Sequence, residues 1–366
     1  MHKFLISGGG TGGHIFPAIA IADAIKLQCP DADILFVGAK GKMEMEKVPQ
    51  AGYKIIGLNI AGFQRKLAFK NLVFPFKLAH SLMKAVYIIR SFKPDVAIGV
   101  GGYASGPTLK IANTFGIPTV LQEQNSYAGV TNRILAPKAA LICVAYPNME
   151  RFFPKEKIRM TGNPIRHEIL KNIVDKINAK QRLGFDQNKK TIAILGGSLG
   201  ARTINEAVAS NADLLLSLNI SIVWQVGKLY FEEFKNHPLA SNANIKILAF
   251  IEDIHLVYSA ADLVICRAGA LTISELAALG KASVLIPSPN VAEDHQTANA
   301  KALSDHDAAI LLKDSDAKSE LGKVIQNLLS NDTKLSSLSS NILEFGFANA
   351  ADDIAHAILN LKKSVA

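Results

Sequence analysis

Short runs of consecutive apolar residues alternate with stretches in which apolar positions recur every three or four residues, and the chain runs through this rhythm twice. An unbroken apolar run suits a strand buried on both faces, and the 3.6-residue recurrence suits a helix laid over it. In the first half the pattern predicts strands at 3–7, 33–37, 96–100, 118–121 and 140–144, with helices near 14–28, 77–92, 105–115 and 129–136. A polar, Lys-rich stretch around 171–190 follows, and then the rhythm restarts. Strands are predicted at 191–195, 220–224, 245–248, 262–266, 282–286 and 308–311, with helices near 201–216, 229–236, 270–279, 295–305 and 316–330.

Alternation of this kind defines an α/β chain whose parallel sheet carries helices on both faces. Two rounds within 366 residues predict two Rossmann-like, doubly wound domains facing across a cleft at the carboxyl ends of their strands. The expected division is 1–163 and 164–345, with a last helix within 346–366 that can pack back on the first domain.

Composition adds limits. With 49% hydrophobic and 19% charged residues the chain can fill two cores and is not a disordered polymer. Cys29, Cys143 and Cys266 are isolated beside apolar runs, without C-x-x-C or paired His, and read as reduced core residues. Strand one begins almost at residue 1, which leaves no room for a signal peptide, and no 18-residue run reads as a membrane span.

The charge is lopsided. Residues 1–165 carry 20 Lys/Arg against 9 Asp/Glu, a net of +11, whereas residues 166–366 carry 20 against 22. No acid occurs between Glu46 and Asp95. An anionic surface is the implied partner, and because no nucleic-acid motif accompanies the charge, a membrane is favoured over nucleic acid. Within 65–84, Leu67, Phe69, Phe74 and Phe76 interleave with Lys66 and Lys70, and Pro75 reads as a helix breaker. Such a segment can lie on an anionic leaflet. The plainer alternative is a helix packed on the sheet with its lysines outward.

Candidate chemistry sits at strand-to-helix turns. "FLISGGGTGGHIFPA" holds a G-x-G-x-x-G at Gly8, Gly10 and Gly13, a turn that admits an anion to backbone N–H groups. A dinucleotide site also wants a carboxylate at the end of strand two, where this chain has Gly38, Ala39 and Lys40, so a dehydrogenase is set aside. "GVGGYASGP" and "IAILGGSLGA" repeat the strand–glycine–helix plan. In "DLVICRAGALTISELAALG" the first helical turn can meet a diphosphate, and Glu275 can either bond ribose hydroxyls or complement the helix dipole. Three D-x-D pairs occur, Asp31/Asp33, Asp305/Asp307 and Asp314/Asp316. The first two precede strands and Asp316 reads as a helix N-cap, so no metal site is expected.

In order, "GGTGGHIFPA", "GGYASGP", "EQN", "TGNPIR", "GGSLGA", "RAGALTISE" and "DHQTANA", from Gly9 to about Ala300, resemble the MurG-type family of peptidoglycan glycosyltransferases. One departure is Gln122, where many relatives carry His. The resemblance implies a GT-B fold and inverting transfer of GlcNAc from UDP-GlcNAc to the C4 hydroxyl of the muramoyl sugar of undecaprenyl-linked lipid I, giving lipid II. It implies no cofactor or bound metal, and a peripheral position on the cytoplasmic face of the bacterial membrane, among other cell-wall synthesis proteins. Mapped onto matching positions, the donor would meet Thr11, Gly12, Gly13, Asn125, Arg166, Ser198, Ile251, Ala270, Leu271, Thr272, Ile273, Ser274, Glu275 and Gln296. The acceptor diphosphate would meet Gly101, Gly102, Tyr103 and Ser105. Inverting transfer needs a base; His14, just after the glycine turn, is the first candidate and Glu123 its rival. A UDP-GlcNAc 2-epimerase, or a noncatalytic sugar-nucleotide or lipid-carrier binder, would share parts of this pattern.

Overall fold

The structure is a computed structural model that describes residues 2–60, 74–197 and 199–363. Two compact units divide the chain, Met1–Arg166 with Asn349–Ala366, and His167–Ala348.

The first unit contains β1 (Lys3–Ser7), α1 (Gly12–Gln28), β2 (Asp33–Ala39), α2 (Glu44–Gln50), β3 (Lys54–Leu58), α3 (Phe74–Phe92), β4 (Val96–Gly99), α4 (Ser105–Thr114), β5 (Thr119–Glu123), α5 (Val130–Leu135), β6 (Leu141–Val144) and β7 (Ile158–Met160). Its seven strands are ordered β3-β2-β1-β4-β5-β6-β7, and every pairing is parallel. The order reverses between β1 and β4, so the two glycine turns leave adjacent strands at the switch point, where an open parallel sheet receives its ligand.

The second unit contains α6 (His167–Lys171), α7 (Lys176–Arg182), β8 (Thr191–Leu195), α8 (Arg202–Ser210), α9 (Ala212–Ser217), β9 (Ser221–Gln225), α10 (Phe231–Phe234), β10 (Ile245–Leu248), α11 (Ile254–Ala260), β11 (Leu263–Cys266), α12 (Ala270–Ala278), β12 (Ser283–Leu285), α13 (His295–Ser304), β13 (Ile310–Leu311), α14 (Ala317–Leu329) and α15 (Asp332–Leu343). Its six parallel strands are ordered β10-β9-β8-β11-β12-β13, with the switch between β8 and β11. The chain then returns to the first unit as α16 (Ala350–Lys363). Ile354, Ala355 and Ile358 of α16 enter the core that holds Ile15, Ile21 and Ile25 of α1, and Gln28 Nε2 donates to the Asp352 carbonyl at 3.0 Å.

The central strands are buried on both faces, as β1, β5, β8 and β9 illustrate. That burial is why they read as continuous apolar runs. Several expectations need correction. β3 and β7 were not anticipated: β3 has a half-exposed start, and two of the three residues of β7 face solvent. Pro75 does not break a helix; it is the second residue of α3, in the first turn, where its missing N–H has no helical partner to lose. The helix expected over 201–216 is two helices, broken at Asn211, whose Nδ2 donates to the carbonyls of Ala207 and Lys318. Cys143 and Cys266 are buried free thiols, and burial pushes each up to about 12.

Candidate active site

In the first unit the turn after β1 supplies Thr11 as the N-cap position of α1, with Gly12 and Gly13 in the opening helical turn. His14 follows, half-buried. Its Nδ1 lies 3.1 Å from the Gly9 carbonyl oxygen and 3.4 Å from Thr11 Oγ1. A carbonyl only accepts, so this contact places the proton on Nδ1 and leaves the lone pair of a neutral ring on Nε2.

The second turn, after β4, packs directly on the first. A Cβ on Gly101 would come within 2.9 Å of the His14 ring, and one on Gly102 within 2.3 Å of the Gly9 carbonyl oxygen. Both glycines have positive φ, +87° and +85°. Only residues without side chains allow this approach. Tyr103 is half-exposed at the same turn. Ser105 behaves differently from expectation: it is fully buried and its hydroxyl is spent on the carbonyls of Ser7 at 2.7 Å and Gly101 at 2.8 Å. Only its backbone faces a ligand question. Arg166 is exposed, with its guanidinium 5.8 Å from the centroid of Phe16, a ring that also packs on Gly12. That contact brings Arg166 to the same end of α1 as His14.

Glu123 is committed elsewhere. It is buried at 2% exposure, and its carboxylate accepts four bonds. Asn125 donates its backbone N–H at 3.1 Å and Nδ2 at 3.3 Å to one oxygen; Gly129 N at 3.0 Å and Asn132 Nδ2 at 2.9 Å serve the other. Burial pushes this carboxyl up from its ordinary value, and the four donors pull it partly back. The arrangement ties the loop after β5, including Asn125, to the strand end. Gln122, alongside, donates Nε2 to Asn163 Oδ1 at 2.9 Å, while Asn163 Nδ2 donates to the Gln124 carbonyl at 3.0 Å. Gln124 in turn donates to the Val100 carbonyl at 2.9 Å and to Gln122 Oε1. An amide at 122 thus belongs to a buried network joining "EQN" to "TGNPIR".

One residue went unread in the sequence. Glu44, at the start of α2 and 1% exposed, accepts the Gly10 N–H at 2.9 Å on one oxygen and the Ala39 N–H at 2.9 Å on the other. A Cβ on Gly9 would fall 2.2 Å from Glu44 Oε1, so the missing side chain makes room for the carboxylate. The sequence signal was one of two acids alternating with methionines in "KMEMEK", 34 positions from the glycine that it binds.

In the second unit every predicted donor loop leaves the carboxyl end of a strand. Ile251 is buried ahead of α11, after β10. Ala270, Leu271, Thr272, Ile273 and Ser274 form the opening of α12 beyond β11, with Gly269 as N-cap, so the first-turn backbone N–H groups ahead of Ile273, which lie before the helical ladder begins, stand at the switch point. Glu275 is 7% exposed and accepts the Tyr258 hydroxyl at 3.0 Å. Gln296 opens α13 and accepts the Ser288 N–H on Oε1 at 2.8 Å, which turns its Nε2 to other partners. Ser198 lies outside the described residues.

The aspartate pairs are placed as follows. Asp33 is the first residue of β2, and Asp307 accepts from Lys334 Nζ at 3.0 Å. Asp314 pairs with Arg267 and accepts the Thr203 hydroxyl at 3.0 Å. Asp316 stands at the N-cap position of α14 but makes no capping bond; it accepts from Ser315 Oγ instead. Among the described residues no three His, Cys, Asp or Glu side chains cluster as a metal-binding group.

Of the membrane candidates, Lys66, Leu67, Phe69 and Lys70 lie outside the described residues. Phe74 and Phe76 belong to α3, Phe74 half-buried and Phe76 77% exposed. Phe76, Met83 and Tyr87 share one helical face, all more than 60% exposed. Among the described residues no helix is long and apolar enough to cross a membrane.

Two parallel-sheet units, each with its own set of loops at the carboxyl ends of its strands, suit a sugar-nucleotide transferase. Comparison agrees: residues 4–144 match the glycosyltransferase family 28 N-terminal domain and residues 191–354 the glycosyltransferase family 28 C-terminal domain. The UDP-N-acetylglucosamine--N-acetylmuramyl-(pentapeptide) pyrophosphoryl-undecaprenol N-acetylglucosamine transferase of Flavobacterium psychrophilum is 55% identical over 363 residues, 99% of this chain and 98% of the relative. The crystal structure of Acinetobacter baumannii MurG is similar with a TM-score of 0.80 at 31% identity, covering 98% of this chain and 100% of that one. A UDP-GlcNAc 2-epimerase from Neisseria meningitidis bound to UDP-GlcNAc has a TM-score of 0.69 at 15% identity, covering 98% and 100% respectively, a likeness of fold alone. The chain belongs to the MurG family of glycosyltransferases.

Proposed function

We propose that the protein transfers GlcNAc from UDP-GlcNAc to the C4 hydroxyl of the muramoyl sugar of undecaprenyl-linked lipid I, with inversion, forming lipid II for peptidoglycan. The second unit holds the donor. Backbone N–H groups opening α12 take the diphosphate, Glu275 bonds the ribose, Ile251 offers its backbone to uracil and Gln296 Nε2 bonds the sugar. The first unit supplies the base. His14 Nε2 takes the proton of the acceptor hydroxyl as its oxygen attacks C1 of GlcNAc; the C1–phosphate bond breaks and UDP leaves. Helix N-termini and Arg166 oppose the charge that builds on UDP, without a metal ion. The engagement of Asp314 by Arg267 and Thr203 supports leaving D-x-D out of the chemistry.

The observation that carries the assignment of the base is the Nδ1 contact of His14 with the Gly9 carbonyl, which leaves Nε2 able to accept. The four bonds on Glu123 support reading it as the organiser of its loop and His14 as the base. The exposed face of Phe76, Met83 and Tyr87, within an acid-free basic stretch, supports docking of the first unit on the anionic cytoplasmic leaflet, where a lipid-linked acceptor is confined. The test is incubation with labelled UDP-GlcNAc and lipid I, followed by extraction. Label in the lipid fraction is expected; release of labelled free GlcNAc or epimerised nucleotide alone would overturn the reading.

A further inference from the structure

Gly9 O and Gly10 N belong to one peptide group. Its carbonyl accepts from His14 Nδ1 at 3.1 Å, and its N–H donates to Glu44 Oε2 at 2.9 Å. We infer that Glu44 is a positioning residue that acts on His14 through this peptide, as a carboxylate–peptide–imidazole relay. The inference rests on the reading of His14 as the base.

The physical argument has three parts. A carboxylate accepting an amide N–H polarises the peptide, and hydrogen bonds in a chain strengthen one another, so the carbonyl becomes a better acceptor for Nδ1–H. This holds the ring in the tautomer that leaves Nε2 basic and favours the imidazolium that forms during proton transfer. Glu44 accepts backbone N–H groups on both oxygens, an arrangement that suits the ionised, acceptor-only form. Burial at 1% exposure keeps water from screening it.

The surroundings hold the peptide in one orientation. Gly9 has no side chain to displace Glu44, and Gly102 lies against the Gly9 carbonyl. The backbone at Gly9, with φ +141°, and Gly10, with φ +91°, turns the peptide so that its two ends face opposite partners. The described elements around His14 carry few other titratable or charged groups. Tyr103 is on the turn of Gly101, and Arg166 on Phe16 opposes protonation of the ring. Glu44 places a carboxylate on the far side of the Gly9–Gly10 peptide from the ring. Across the peptide the carboxylate and the half-buried ring are roughly 7–8 Å apart, a separation at which one charge moves a neighbour by about half to one pH unit at an effective dielectric constant of about 30–60.

The experiment uses the full-length protein labelled with [15N]histidine, with His14 resonances assigned by difference from His14→Asn. In the wild type, neutral His14 is expected as the Nδ1–H tautomer. In Glu44→Gln the titration midpoint should fall by about half to one unit and the acidic limb of kcat should move with it. Turnover should drop about three- to tenfold while KM for UDP-GlcNAc stays within about twofold. Glu44→Asp, which keeps the charge, should restore the midpoint more than the rate. An Nε2–H tautomer in the wild type overturns the relay without any variant having to fold. An unmoved midpoint in folded Glu44→Gln does the same. Activity retained by His14→Ala would refute the base instead, while the NMR titration would still read the relay.

Discussion

Replacing Glu275 by Gln addresses the donor half of the site. Glu275 is 7% exposed, and one of its oxygens accepts the Tyr258 hydroxyl at 3.0 Å. Glutamine has the same length and its carbonyl oxygen can keep that bond, so unfolding should begin at nearly the wild-type temperature. What disappears is the negative charge that the proposed ribose contact relies on. A hydrogen bond to a charged group contributes about 1.5–3 kcal/mol. The Kd for UDP should therefore rise about 10- to 150-fold. Calorimetric titration with UDP and with UDP-GlcNAc should give the same increase, because the ribose is common to both. Tyr258→Phe, which removes the anchor but not the charge, should weaken UDP less. Unchanged affinity in a well-folded Glu275→Gln protein would refute the ribose contact and leave Glu275 as a buried partner of Tyr258; as the sixth residue of α12 it lies past the first turn, where the helix dipole would reward an acid.

His14→Ala should cut turnover roughly 10²- to 10⁴-fold with donor affinity nearly retained, and near-normal turnover would remove His14 from the chemistry. Glu123→Gln places an amide NH2 against backbone and Asn132 donors that now meet a carboxylate. It should lower stability by about 2–4 kcal/mol in thermal unfolding, and lost activity with undiminished stability would make Glu123 catalytic after all. Phe76→Ser, Met83→Ser and Tyr87→Ser combined should reduce flotation with anionic vesicles and activity on long-chain lipid I but spare a short-chain soluble acceptor; unchanged flotation would move the membrane face elsewhere. Lys281 is pushed down to about 8, first by burial and then by Lys176. The folded protein then holds fewer protons than the unfolded chain between about pH 8 and 10.5, so stability should rise with pH there, by up to about 3 kcal/mol. Lys281→Met should flatten that rise in pH-dependent melting, and a rise that persists would assign it to another group.

Legibility in the sequence followed burial. β1, β4, β5, β8, β9 and β11 are covered on both faces, and their apolar runs announced them and the turns that follow. β7 exposes Arg159 and Met160 and carries no such run. The glycine turns, His14 and the opening of α12 were readable because local geometry demands particular residues there. Ser105 was readable as a position but not as a conformation, since its hydroxyl answers to carbonyls of Ser7 and Gly101 set by strand pairing. Glu44 and the Gln122–Asn163 network escaped for a related reason. They join groups 34 and 41 residues apart, and no local pattern records such a meeting.

The return of α16 to the first unit has a consequence for synthesis. About 180 residues, the whole of the second unit, separate the two parts of the first. When α1 leaves the ribosome its apolar flank, which Ile354, Ala355 and Ile358 will cover, lacks that cover until α16 has followed the second unit out. The order of birth is thus inverted for the order of completion: the unit that starts first is closed after the second has been made. Until then the nascent protein carries an apolar seam of the kind that chaperones hold.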